Sequence, residues 1–338
     1  MTVVVTGASG HIGANLVREL LARGRSVRAV IHTNKGLVEG LPIEFVPGDV
    51  RDPDSLRAAF QGAETVLHLA AVISIDGDKD GMVPAVNVVG AGNVADAALQ
   101  AGVRRMVHVS SVHAFNQAPL DQELDETRER ATAPHHNAYD RSKANGETQV
   151  RNAIEQGLDC VIVHPTGVIG PWDAEPSRMG EVFLKLFHRS LPALSDGGFN
   201  WVDARDVTAG ILAAEERGRC GQNYLLAGHY RTVLQMAELA ESITGVPRPR
   251  MVTPMWLARV GAPFQRGWDH LNGRRALYTA ESLEALRANT RISWKKAHDE
   301  LGYTPRPVEQ SVYDVYEWFR AHGQIPSDAQ LRAPQLPT

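Results

Sequence analysis

The chain has 338 residues, 43% of them hydrophobic and 22% charged, which is globular composition with room for two domains or one large α/β domain with an added lobe. A net charge of −4 without any Lys/Arg block argues against a nucleic-acid partner, and two distant cysteines, Cys160 and Cys220, exclude a disulfide framework and a four-thiolate zinc site. No run of 18 apolar residues stands out, so no integral membrane segment is expected; with no secretory signal ahead of the first strand, the expected compartment is the cytoplasm.

Thr2 to Thr6 reads as a buried strand. His11 to Arg23 has helical spacing through Ile12, Leu16, Leu20 and Leu21, and Gly24 suits its C-terminal cap. Strands are predicted at Ser26 to Ile31 and Ile43 to Pro47. Asp52-Pro53-Asp54-Ser55 opens a helix, with Pro near the first helical position and acids in the first turn. Strands at Thr65 to Leu69 and Arg105 to Val109 flank a long helix across Val83 to Ala101. A polar-faced helix covers Asn137 to Gln156, and Cys160 to His164 is the next strand. Beyond Pro165 the alternation stops, and only a strand at Tyr224 to Ala227 and a helix at Val233 to Thr244 stand out.

This rhythm predicts an α/β fold, a doubly wound parallel sheet of the Rossmann type. The dinucleotide-binding domain is expected at 1–170, with 201–228 returning to it. A smaller mixed α/β substrate lobe is expected from 171–200 and 229–330, and a frayed tail at 331–338.

Gly7-Ala8-Ser9-Gly10-His11-Ile12-Gly13 joins the first strand to the first helix. Glycines there allow a sharp turn and let backbone N–H groups approach a pyrophosphate, which the helix dipole stabilises. Gly7, Ser9, Gly10, His11, Ile12 and Gly13 are therefore candidate cofactor residues. At the end of the second strand no acid lies between Glu19 and Glu39, whereas Arg28, His32 and Lys35 are available. A 2′-phosphate would meet attraction there, so NADP(H) is favoured over NAD(H); solvated surface charges are the competing explanation. Asp49, beside Val50 at the end of the third strand, can accept from an adenine amino group or cap the next turn.

Tyr139 and Lys143 are four apart and share one helix face. A phenol with a reference pKa near 10 trades protons at neutral pH only if its charged form is favoured, and a neighbouring ammonium does that. Ser110-Ser111 ends the strand Met106 to Val109, at the sheet edge where ligands bind in such folds. A hydroxyl there can orient a substrate oxygen toward Tyr139. No His/Cys/carboxylate spacing suggests a metal. Asp203 and Asp206 would read in isolation as a carboxylate pair.

Thr6-Gly7-Ala8-Ser9-Gly10-His11-Ile12-Gly13, His68-Leu69-Ala70-Ala71, Val109-Ser110-Ser111, Tyr139-Asp140-Arg141-Ser142-Lys143 and His164-Pro165-Thr166-Gly167-Val168-Ile169-Gly170-Pro171 resemble the extended short-chain dehydrogenase/reductases, the NAD-dependent epimerase/dehydratase superfamily. The tail run Leu301-Gly302-Tyr303-Thr304-Pro305-Arg306 is similar to that family's C-terminal lobe. The resemblance implies a seven-stranded sheet, Tyr139 as acid/base, Lys143 on the nicotinamide ribose, and Ser111, rather than Ser110, on the substrate oxygen. It also implies cofactor contacts at Leu69, Ala70, Ala71, Pro165, Thr166, Gly167 and Val168, with Asn87 in the segment behind the site. A homodimer through the helices at 83–101 and 139–156 is implied too. It assigns Asp203 and Asp206 to a structural V-D-x-x-D-V segment.

Ser111 is followed by Val112-His113-Ala114, so the acid that the family's dehydratases use for β-elimination is missing. His113 is the candidate substrate contact. The run Val27 to His32 looks closest to the dihydroflavonol reductase and 3β-hydroxysteroid dehydrogenase branch. The expected activity is NAD(P)-dependent hydride transfer on a small carbonyl or alcohol substrate. An NAD-dependent sugar-nucleotide epimerase is the alternative, and a non-catalytic dinucleotide sensor stands third.

Overall fold

The computed structural model describes residues 2–74, 78, 80–255, 284 and 286–334. Strands β1 (Thr2–Thr6), β2 (Ser26–Ile31), β3 (Glu44–Pro47), β4 (Ala63–His68), β5 (Arg105–Val109), β6 (Cys160–Pro165) and β10 (Asn223–Leu226) form one 7-stranded parallel sheet, ordered β10-β6-β5-β4-β1-β2-β3. The central strands are buried on both faces, as their continuous Val/Ile/Leu runs require. The order reverses between β1 and β4, which opens a crevice at their carboxyl ends.

Helix α1 (His11–Ala22) packs Leu16, Val17 and Leu20 into the core on one face of the sheet. On the other face lie α2 (Pro53–Phe60), capped by Asp52, and the helix α3 (Met82–Gln100). Helix α4 (Ala138–Glu155) packs beside α3. The stretch Ala85–Gly90 within α3 is wound as a π-helix, which the apolar periodicity did not signal. By length and hydropathy α3 would suffice to cross a membrane, contrary to the expectation of no such segment, but half of its apolar window is buried inside the protein.

A second layer holds β7 (Gly167–Ile169), β9 (Gly198–Asp203) and β11 (His229–Thr232) in one sheet, and β8 (Leu194–Ser195) with β12 (Val252–Thr253) in another. Around them pack α5 (Arg178–Phe187), α7 (Val233–Thr244) and α9 (Val308–Ala321), through Phe183, Trp201, Met236, Tyr316 and Phe319. Helix α6 (Ala204–Arg217) returns the chain to the main sheet, and α8 (Lys295–Leu301) packs against it.

Asp203 caps α6 and pairs with Arg205, while Asp206 accepts from the backbone and guanidinium of Arg306. Both carboxylates are thus bound to arginine where lobe returns to sheet, the structural role the family segment implied. The tail does not fray from 331. Leu331 packs on the lobe core and the Arg332 N–H bonds Ile243 O at 2.8 Å. Residues 335–338, and the stretch 256–278 within the expected substrate lobe, lie outside the described residues.

Candidate active site

The glycine loop is built by close approach. Gly7 has φ 72°, and a Cβ there would sit 2.7 Å from Ala70 N. A Cβ on Gly13 would meet Gly7 O at 2.2 Å, so only glycine lets α1 start this near the turn. Ser9 and Gly10 are exposed, no side chain caps α1, and its first turn carries no acid. Free N–H groups at an uncountered helix N-terminus, with room above them, fit a pyrophosphate. Ile12 is half-buried against the core below the loop.

The His11 ring is directed elsewhere. Its Nε2 lies 3.0 Å from Pro171 O, which Asn15 Nδ2 also reaches at 3.0 Å. His11 therefore brings its backbone to the loop and spends its imidazole tying α1 to the end of the β7 segment.

Across the crevice, Leu69 N donates to Thr6 O and Ala70 N to the Thr6 hydroxyl, which also contacts His68 Nδ1 at 2.7 Å. Ala71 is exposed at the rim. Asn87, expected among the cofactor residues, has its amide spent behind this segment. Its Oδ1 accepts from Val72 N at 2.8 Å, and its Nδ2 reaches Val72 O and Ser142 Oγ, each at 2.9 Å. It is a brace between the β4 loop and α4. Asn87→Ala would leave those buried groups unpaired, and a loss of roughly 2–3 kcal/mol in chemical denaturation is expected.

The adenosine end departs from expectation at Arg28. Its guanidinium bonds Glu44, the cross-strand neighbour on β3, and the carbonyls of Ala59 and Gln61, so it is unavailable for a 2′-phosphate. His32 and Lys35 remain exposed at the rim, with Lys35 Nζ 4.5 Å from the Phe45 ring centre. The Asp49 carboxylate is not idle either. Arg51 forks onto it and His32 Nε2 approaches to 3.3 Å, and the bonds from Arg51 hold it below its ordinary pKa. Arg51 was missed, although it lies two residues after Asp49. Val50 is buried, its carbonyl accepting from Asn93 Nδ2.

Ser111 and Tyr139 come together at the end of β5, and Lys143 follows Tyr139 by one turn of α4. Asn137 caps α4 by accepting from Asp140 N at 2.8 Å, which sets Tyr139 in the first turn facing the end of β5. Ser111 hydrogen-bonds the Tyr139 phenol, and burial pushes that phenol up to about 12 against the opposing effect of the bond. Lys143 is buried, donating from Nζ to Val109 O at 3.3 Å, and burial lowers it to about 8, with Glu147 opposing. Ser110 points away, donating to Glu147 Oε1 at 2.6 Å, which leaves Ser111 as the hydroxyl at Tyr139. The His113 ring stands edge-on to Tyr139 at 5.8 Å, with Nδ1 3.1 Å from Asp140 Oδ1.

On the far wall, Pro165 ends β6 and Gly167 and Val168 enter β7. The Thr166 hydroxyl donates to Asn200 Oδ1 at 2.9 Å and so holds this wall to β9. Among the described residues no group of three or more His, Cys, Asp or Glu is arranged to hold a metal. Both cysteines are free, Cys160 buried and Cys220 exposed.

Residues 3–227 match the model of the NAD dependent epimerase/dehydratase family. Sterol demethylase protein B of Methylococcus capsulatus is 37% identical over 96% of this chain and 100% of its own length. A putative dihydroflavonol 4-reductase of Synechocystis is 35% identical over 95% of both chains. The crystal structure of gox2253 superposes with a TM-score of 0.83 at 30% identity, covering 96% of this chain and 99% of that one. The chain therefore belongs to the NAD-dependent epimerase/dehydratase family of enzymes, with that family's Rossmann-like sheet and its use of a nicotinamide dinucleotide.

Proposed function

We propose that this protein is a reductase that exchanges hydride between NADP(H) and a secondary alcohol or its ketone on an apolar ring substrate of sterol class. The observation that carries the reading is the placement of the Tyr139 phenol beside the Ser111 hydroxyl, with Ser110 turned away and buried Lys143 one helical turn on. Burial alone makes this phenol a weaker acid, contrary to the expected lowering by Lys143, so proton donation would draw on the positive nicotinamide ring formed as hydride leaves. Support for an apolar substrate comes from the sterol named in the relative from Methylococcus.

Gly7, Ser9, Gly10, His11, Ile12 and Gly13 would hold the pyrophosphate through their backbone. Leu69, Ala70, Ala71 and the Pro165 to Val168 segment would line the rest of the dinucleotide. The bound dinucleotide supplies the hydride. Ser111 and Tyr139 grip the carbonyl oxygen, Tyr139 gives it the phenolic proton, and the two hydroxyls stabilise the developing negative charge. Lys143 would hold the ribose and favour the phenolate left behind. His113 stands where it can touch the substrate flank.

His32 and Lys35 would receive a 2′-phosphate. An exposed pair of this kind contributes about 1 kcal/mol, so Lys35→Ala is expected to weaken NADPH binding about fivefold and leave NADH binding unchanged, read by fluorescence titration. The outer faces of α3, with Val89 56% exposed, and of α4 suit a second copy of this chain, giving a homodimer in the cytoplasm.

The test is NADPH deuterated at nicotinamide C4, incubated with a 3-oxosteroid. The expected result is deuterium on the new carbinol carbon. Epimerisation of UDP-glucose with no label transfer to any ketone would favour the epimerase reading instead.

A further inference from the structure

Glu147 has no part in the reaction just described, yet it is the most heavily engaged group behind it. It lies on α4 one turn beyond Lys143 and two beyond Tyr139, and is 1% exposed. Its Oε1 accepts from Ser110 Oγ at 2.6 Å and meets His164 Nε2 at 2.7 Å, while its Oε2 accepts from Arg130 Nε at 2.8 Å. Arg130 is itself fixed, its guanidinium 3.9 Å from the Phe115 ring centre. An unpaired carboxylate at this depth would simply protonate, so the cage is what keeps it charged. Burial alone would push its pKa up, and His164, Arg130 and Ser110 hold it far down.

The three partners belong to different pieces of the site. Ser110 precedes Ser111 at the end of β5. His164 precedes Pro165 at the end of β6, and Arg130 comes from the loop paired with Phe115. One carboxylate therefore joins the serine strand, the Tyr139/Lys143 helix and the strand that leads into the nicotinamide wall. Around Lys143 itself stand Glu147 from α4, His68 from β4, His108 from β5 and the Val109 carbonyl. Burial holds His68 and His108 neutral at pH 7, so neither adds a charge there.

We infer that Glu147 is a positioning residue for the catalytic set, locking Ser111, the Tyr139/Lys143 helix and the end of β6 in one register and supplying the negative charge that the Lys143 ammonium faces. This rests on the reading that Lys143 meets the nicotinamide ribose. Ordinary core packing would make Glu147 matter for stability alone. The charge role adds a pH signature that packing does not produce.

The experiment is NADH fluorescence titration of the full chain from pH 6 to 10, with unfolding temperatures recorded beside it. In the parent, affinity is expected to be flat at low pH and to fall as the ammonium is lost, by about fivefold between pH 8 and 9. In Glu147→Gln the fall should begin about one pH unit lower, because the neutral amide no longer supports the ammonium. If Glu147→Gln does not fold, Arg130→Met reads the same coupling in the opposite sense. It removes the cation that offsets Glu147, and the fall should move to higher pH. An unmoved profile in a variant that folds and binds NADH overturns this inference alone. A parent that binds neither NADH nor NADPH at any pH overturns both it and the reading beneath it.

Discussion

Replacing Tyr139 by Phe is expected to lower turnover about 10³-fold while NADPH binds as in the parent. The substitution removes one oxygen and keeps the ring in its place. That oxygen carries the proton transferred to the substrate, and it is also hydrogen-bonded by Ser111. The other supports of the site, the Asn137 cap, the Lys143 bond to Val109 O and the glycine loop, do not involve the phenol hydroxyl. Single-turnover absorbance at the nicotinamide band separates the two quantities. Turnover within a few fold of the parent would show that another group donates the proton, and His113 beside the ring would be the first to examine.

Gly13→Ala is expected to be the most damaging small substitution in the dinucleotide site. Its new Cβ would lie 2.2 Å from Gly7 O and 2.8 Å from Ala8 Cα, both backbone atoms with no flexible side chain to yield. Either α1 shifts off the sheet or the loop opens. A loss of about 3 kcal/mol in stability is expected from the overpacking, with dinucleotide affinity reduced about 100-fold as the N–H groups leave their positions. Denaturant melts and NADPH titration on one preparation read both. Retained affinity at parental stability would mean that the loop is less tightly set than its contacts show.

Much of this site was legible because its chemistry uses local spacing. A strand-turn-helix with glycines at three-residue steps, and a Tyr and Lys four apart, are patterns that one stretch of chain carries by itself. The choice of Ser111 over Ser110 came from family resemblance, and its physical reason is long-range: Glu147 occupies Ser110. Glu147 continues the Tyr139/Lys143 face at the same four-residue step, a signal that went unused. Its partners Arg130 and His164 lie on other elements, and periodicity says nothing about them. Arg28 was misjudged for a similar reason. Its charge was visible, but the β2–β3 register that sets it opposite Glu44 was not. Asn87 was found in a family segment, while its bonds to Val72 and Ser142 depend on the π-wound turn of α3, which hydrophobic spacing does not reveal.

The reductase account is tested most directly by the nucleotide that the protein carries and prefers. Freshly purified chain is denatured, any released nucleotide is identified, and the intact protein is titrated with NADPH and NADH. A reductase must exchange its cofactor at every turnover, so the account predicts protein largely free of nucleotide that binds NADPH more tightly than NADH. Stoichiometric NAD surviving purification would contradict it and point to an epimerase that recycles its cofactor in place. Failure to bind either dinucleotide would contradict the glycine loop's assignment and the mechanism built upon it.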